Sequence, residues 1–171
     1  MSEHKQNAAP NDANNKPANK GGAKAPPKSP RRRAREFALQ GLYQWRVGGN
    51  DVAAVIAHLQ DMEGFGKADT ELCQGIVRGV MAQEEVLIGH VSTNIDRPFG
   101  DLSPVEAVIL LMGAFEFKDY PETPYRVILN ECIELAKSFG GTDGRRYVNG
   151  VLDKLAATLR PIEFAARRQS R

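Results

Sequence analysis

The chain has 171 residues, 42% of them hydrophobic and 26% charged, which is the composition of an ordinary globular protein with room for one domain. Its formal net charge is +2, but residues 1 to 30 hold five lysines against two acids. This segment therefore carries +3 and the other 141 residues carry −1. A charge so close to zero over residues 31–171 argues against general binding of polyanions. Any affinity for nucleic acid must therefore come from local clusters of basic side chains.

The N-terminal segment, residues 1 to 30, is rich in Asn, Ala, Lys, Pro and Gly and contains no aromatic side chain. It offers too little apolar surface to offset the entropy of ordering, so we predict a disordered basic tail. In one interpretation its lysines add weak attraction to phosphate. In the other, the tail is solvated and has no specific role.

The first predicted helix runs from about Arg31 to Val47 and has an arginine-rich first turn. Arginine is poorly placed there, because the helix dipole favours acids at the N-terminus. Guanidinium groups match phosphate oxygens, so we interpret these arginines as a phosphate-binding edge, with a solvated charge run as the alternative. The edge consists of Arg31, Arg32, Arg33 and Arg35.

The helical spacing of apolar residues, together with caps and breakers, predicts further helices along the chain. The helix that follows Ser103-Pro104 is apolar on most sides and therefore belongs in the middle of a core. Farther on, a double glycine ends one helix, and Thr142 or Asp143 caps the next. The predicted ranges are about 52–63, 69–95, 104–118 and 124–139, then a last helix up to Pro161 and a frayed basic tail over 162–171.

No segment alternates apolar and polar residues between hairpin turns, so we predict an all-α protein with one folded domain over residues 31–161. The chain has no HExxH, CxxC, GxxxxGK or GxSxG motif, and we therefore predict no enzyme activity, no metal and no cofactor. Glu131 and Glu134 share one helix face, where a solvated or partner-facing edge is a simpler interpretation than catalysis.

Two further features concern the compartment. Cys73 and Cys132 each fall inside an apolar helical pattern, which predicts buried, reduced thiols, with one disulfide as the alternative. The sequence has no apolar stretch at its N-terminus and no run of 18 apolar residues. We therefore predict a cytoplasmic protein without a membrane partner.

Basic and aromatic residues occur together twice, which is the combination that binds phosphates and stacks unpaired RNA bases. One cluster joins the four arginines of the first helix to Tyr43, and the other opens the last helix. Spacing alone does not show that the clusters adjoin. The second cluster contains Arg145, Arg146 and Tyr147.

Four stretches of the chain resemble the NusB family of bacterial transcription antitermination factors. The most specific is NECIELAKSFGGTDGRRYVNGVLDKL at 130–155, which is similar to the family's NEAIELAKSFG and (F/Y)VNGVLDK signature. The opening helix RRRAREFALQGLYQW at 31–45 also fits, as do SPVEAVILLMGAFEF at 103–117 and PYRVILNE at 124–131. The resemblance implies a NusB-like helical fold of two three-helix subdomains packed at a large angle.

The resemblance also implies a function. Members of the family bind the boxA segment of nascent single-stranded RNA together with the small-subunit ribosomal protein that doubles as NusE. They help RNA polymerase to read through terminators within an antitermination complex, notably in ribosomal RNA operons. In this chain the resemblance implies RNA contacts at the first cluster and at Tyr147, whereas Arg145 and Arg146 are expected from the second cluster itself and lie in a joint that varies across relatives. The expected partner contacts are Glu106, Asn130, Glu131, Glu134 and Asp143.

Two other classes of protein remain as alternatives. One is a stand-alone relative of the similar helical domain of some RNA methyltransferases, although 171 residues leave no space for a cofactor-binding sheet. The other is a helical scaffold that binds protein only. A homodimer is an open alternative to a monomer.

Overall fold

The structure, a computed structural model, describes residues 26–170, and this part of the chain forms helices and turns without a strand. The predicted all-α class is therefore confirmed for the described residues, whereas the predicted tail up to residue 25 lies outside them. No helix in the described range is long and apolar enough to cross a membrane. The α-helices within residues 26–170 are α1 Pro30–Gly48, α2 Val52–Gln60, α3 Thr70–Ala82, α4 Glu84–Ser92, α5 Pro104–Asp119, α6 Tyr125–Phe139, α7 Gly144–Leu159 and α8 Pro161–Gln169.

Helix α1 begins slightly before the predicted boundary. Pro30 occupies its first position, and the Ser29 side chain accepts a hydrogen bond from the Arg32 backbone N–H at 3.1 Å. This cap satisfies one of the donors that a helix leaves unpaired at its N-terminus. At the other end Gly49 has a φ of 75°, the left-handed conformation that glycine adopts most readily. The ordered body thus includes residues that the sequence assigned to the tail.

The single helix predicted for 69–95 is wrong, because it divides at Gln83 into α3 and α4. The Gln83 side chain donates to Asp119 Oδ2 at 2.6 Å and accepts from Lys118 Nζ at 2.8 Å. Both partners lie at the end of α5, so the break is held by a contact that is distant in sequence. The apolar periodicity continues across the break and does not reveal it.

Helix α5 lies at the centre of the core, as its apolar composition predicts. Its residues 107–117 are all buried. It contacts α1, α3 and α4, which precede it in the sequence, and α6 and α7, which follow it. Close packing depends on two glycines: a Cβ on Gly79 would lie 2.1 Å from the Phe115 ring, and one on Gly113 would lie 2.8 Å from Leu152. The helix therefore joins the two halves of the molecule.

The prediction of a frayed tail over 162–171 is wrong for residues 162–169, which form a helix that begins at Pro161. Helix α8 is docked by Phe164, whose ring centroid lies 6.5 Å from that of Tyr125, and by an Arg167–Asp153 ion pair of 2.8 Å. Glu163 accepts a hydrogen bond from the Tyr125 backbone N–H at the start of α6 at 2.9 Å.

The junction of α7 and α8 is fixed by a buried arginine, Arg160. Its guanidinium donates to Glu163 at 2.6 Å and to four backbone carbonyls near the end of α5 and in the loop that follows. These acceptors are Glu116, Phe117, Tyr120 and Thr123, at 3.3, 2.6, 2.6 and 3.0 Å respectively. One side chain thus supplies a donor to the Phe117 carbonyl at the end of α5 and a further donor to the Glu116 and Tyr120 carbonyls, which also accept from the backbone N–H groups of Tyr120 and Thr123.

Candidate nucleic-acid interface

The arginines of the first turn of α1 have different surroundings. Arg31 is exposed, and the partly exposed Arg33 donates to the Lys28 carbonyl at 3.4 Å. Lys28 in turn pairs with Glu36 at 2.7 Å. Arg31 and Arg33 therefore remain placed to reach an external phosphate.

Arg32 forms a two-point ion pair with Glu131 of α6. Its Nη2 lies 2.9 Å from Oε1 and its Nε 3.1 Å from Oε2, while the side chains remain 40% and 18% exposed. Hydrogen bonding to Glu131 and the charge of that carboxylate raise the Arg32 pKa, with smaller contributions from Glu134 and Glu36. A residue of the predicted RNA set is thus bound to a residue of the predicted partner set.

Arg35 is not part of the interface, and its assignment to the phosphate-binding edge is wrong. Its side chain is 4% exposed and pairs with Glu116, which is 0% exposed, through contacts of 2.7, 3.0 and 3.2 Å. Burial acts to lower the Arg35 pKa, but hydrogen bonding and the charge of Glu116 raise it overall. Arg35 therefore joins α1 to α5 inside the core.

Tyr43 lies exposed at the edge of an open groove of about 370 Å³ between α1, α5 and α6. Phe139, the last residue of α6, is exposed on the same groove, with Val105 beside it. Phe139 follows Ile128, Cys132 and Leu135 at helical spacing, which predicts a buried side chain. The only signal for its exposure is its position at the helix end, where the packed stripe stops. Gln40, Gln44 and Leu39 complete the lining.

Tyr147 forms the second aromatic site at the start of α7. The Arg97 guanidinium stacks over its ring at 4.9 Å, and its hydroxyl is buried without a hydrogen-bond partner. Burial raises the Tyr147 pKa, although the Arg97 charge opposes the shift. The ring lines an open cavity of about 480 Å³ with Arg146, Lys154, Asp96 and Asp143 among others. Arg97 and Lys154 were not predicted as site residues, because they lie outside the basic runs of the sequence.

The Tyr43 groove adjoins the second cluster at the first turn of α5, whereas Arg31, Arg32 and Arg33 lie toward the other end of α5, where the neighbouring Arg35 pairs with Glu116. Val105 lines the Tyr43 groove, and the next residue, Glu106, lies against Gly144 at the start of α7. A Cβ on Gly144 would be 3.1 Å from Glu106 Oε1, so glycine permits this close approach. The predicted partner residues Glu106 and Asp143 therefore lie beside the aromatic and basic groups.

The other predicted partner residues lie along α6. Asn130 is exposed and lines a separate hollow of about 280 Å³ with Arg126, Asn149 and Arg167. Glu134 is partly exposed and lies close enough to Arg32 for its charge to act on that residue. The middle of α6, over residues 130–134, thus carries an exposed amide and two partly exposed carboxylates.

Groups suited to metal or thiol chemistry are not found at this surface. Within residues 26–170 no three His, Cys, Asp or Glu side chains are placed to hold a metal ion. Cys73 and Cys132 are buried free thiols, as predicted. Burial raises the pKa of Cys73 to about 12 and also raises that of Cys132.

These features define an all-helical protein whose surface combines guanidinium groups, aromatic rings and carboxylates. A model of the NusB family matches residues 32–157. The transcription antitermination protein NusB of Dechloromonas aromatica (strain RCB) is 67% identical over 148 residues, which cover 86% of this chain and 91% of the relative. The chain therefore belongs to the NusB family.

Solved structures confirm the NusB-like fold. NusB of T. maritima superposes with a TM-score of 0.67 at 25% identity, covering 76% of this chain and 92% of that one. A chain in the crystal structure of antitermination factors NusB and NusE in complex with dsRNA gives a TM-score of 0.65 at 18% identity. This alignment covers 74% of this chain and 96% of the other.

Proposed function

We propose that the chain is a transcription antitermination factor that binds boxA-type single-stranded nascent RNA together with the NusE ribosomal protein. In this role it promotes read-through by RNA polymerase within an antitermination complex, notably in ribosomal RNA operons. The observation that carries the proposal is the 67% identity to a transcription antitermination protein over nearly its whole length. The solved neighbour that holds NusB and NusE in complex with dsRNA supports NusE and an RNA as partners.

The surface geometry supports an RNA track in two parts. Cations hold phosphates and the aromatic rings stack unpaired bases. The two rings and the cations of the second cluster lie near the first turn of α5, and the arginines at the start of α1 form the other part. The proposed contacts keep seven of the sequence-based residues and add two from the structure. They are Arg31, Arg32, Arg33, Tyr43, Arg145, Arg146 and Tyr147, with Arg97 and Lys154.

The proposed seat for NusE is the acidic and amide-bearing surface beside this track. Helix α5 contributes its first turn, and α6 contributes its exposed edge. A basic protein docked there would neutralise carboxylates that repel RNA and would lengthen the track of cations. The contacts are Glu106, Asn130, Glu131, Glu134 and Asp143.

Titration with a boxA-like single-stranded RNA at fixed salt tests the proposal. We expect the equimolar pair of this chain and NusE to bind more tightly than either protein alone, because the pair presents more phosphate contacts. The same RNA as a duplex serves as the competitor control. A pair that binds no better than its stronger component contradicts shared RNA binding. A stable pair without RNA affinity would instead identify a protein-only scaffold.

Replacing Arg31 and Arg33 with Ala should weaken RNA binding while helicity is retained, because both side chains lie outside the core. The slope of log affinity against log salt should shrink by about 0.7 for each phosphate that the variant no longer neutralises. The matched control replaces the exposed Arg126 and Arg168, which removes the same charge elsewhere. Equal salt slopes for the two double variants would show that RNA phosphates do not bind Arg31 and Arg33.

A further inference from the structure

The ion pair between Arg32 and Glu131 joins a proposed RNA contact to a proposed NusE contact. Arg32 uses Nε and Nη2, the edge of the guanidinium that binds a phosphate through two parallel hydrogen bonds. Both donors are already taken by the two carboxylate oxygens of Glu131. A phosphate cannot use this edge of Arg32 until Glu131 has left it.

We propose that Glu131 is an intramolecular competitor of RNA phosphate for Arg32, so that RNA binding proceeds by exchange of one anion for another. The inference rests on the proposed RNA-binding function and adds a regulatory contact to it. The carboxylate imitates the planar, two-oxygen face that a phosphate presents to arginine. It therefore keeps the site neutral while RNA is absent and lowers the affinity of the free chain.

The exposure of this pair makes the exchange feasible. Arg32 and Glu131 are 40% and 18% exposed, and ion pairs with such access to water contribute little to stability. The nearby Arg35–Glu116 pair is almost fully buried and has no such freedom. RNA can thus displace Glu131 without opening the core, whereas Arg35 remains committed to the fold.

Glu134 provides a matched control for the charge of Glu131. It lies one turn along the same helix and acts on Arg32 through its charge, without the two hydrogen bonds that Glu131 accepts. Glu131→Gln and Glu134→Gln remove the same charge from the same surface. A general electrostatic effect predicts equal gains in RNA affinity, whereas competition predicts a larger gain for Glu131→Gln.

The test measures RNA affinity for both variants in the wild-type and Arg32→Gln backgrounds, at fixed salt and with thermal midpoints recorded. We expect Glu131→Gln to tighten binding by up to about fivefold, the upper range for an exposed ion pair, and Glu134→Gln to do so less. In the Arg32→Gln background, the extra gain from Glu131→Gln should disappear, because its competitor role requires Arg32.

Equal gains from the two variants, no gain from Glu131→Gln, or an extra gain that persists without Arg32 would each overturn the inference. In all three cases the wild-type chain still binds RNA, so the proposed function stands. Absence of RNA binding by the wild-type chain even with NusE present would overturn the proposed function, and the inference with it.

Discussion

Replacing Arg35 with Ala is expected to lower the free energy of unfolding by about 3–5 kcal/mol, because it leaves the Glu116 carboxylate buried without its partner. The two side chains are 4% and 0% exposed and share contacts as short as 2.7 Å. The Glu116 carboxylate thus loses the charged donor that offsets the cost of its burial. Urea denaturation followed by circular dichroism measures the change.

Two controls separate this effect from the loss of a positive charge. Arg33→Ala removes a charge from the same helix, but its side chain is partly exposed and should cost little. The double variant Arg35→Met and Glu116→Leu should recover most of the stability, since apolar groups can replace a buried ion pair at small cost. A decrease below about 1 kcal/mol for Arg35→Ala would show that Glu116 is not isolated by the change.

Arg160→Ala should also be severely destabilising, by about 3 kcal/mol or more, because it removes the donors to several backbone carbonyls at once. The pairing with Glu163 is removed as well, and this residue caps α6 through the Tyr125 N–H. We therefore expect the end of α5, the start of α6 and α8 to loosen together. Hydrogen exchange at these segments and urea denaturation measure the effect.

Arg168 is the matched control for Arg160, because it is an exposed arginine on the adjoining helix α8. Arg168→Ala should leave the denaturation midpoint nearly unchanged. Arg160→Lys should lie between the two, since one ammonium retains charge but cannot reproduce the planar set of donors. Equal midpoints for Arg160→Ala and Arg168→Ala would mean that the carbonyls find water or other donors.

Periodicity and caps predicted most of the fold because they report on each helix separately. The Ser103-Pro104 start and the all-round apolar character of α5 were sufficient to place it in the core. The break at Gln83 was missed because it depends on side chains from the end of α5. Helix α8 was missed because Pro161 was interpreted only as the end of α7, although proline also favours the first position of a new helix.

In the candidate site, too, contacts between residues distant in sequence could not be predicted. The sequence presents four neighbouring arginines as equivalent, but the fold buries Arg35, pairs Arg32 with Glu131 and leaves Arg31 exposed. Helical periodicity places position 35 beside the buried stripe. An arginine at that position can be predicted to be buried only when its partner, Glu116, is known. The RNA and NusE contacts themselves stay predictions.

The central position of α5 has a consequence for synthesis of the chain on the ribosome. Helices α1, α3 and α4 pack against α5, but all three are completed before residue 104 is added. The apolar faces that these helices turn toward α5 therefore stay uncovered, and Arg35 lacks its acid, until residue 116 has been added. Such a nascent chain is exposed to aggregation during elongation, which is the stage at which chaperones protect uncovered apolar surface. These faces can be buried only after about two thirds of the residues have been joined, and the core closes later still, once α6 and α7 have been added.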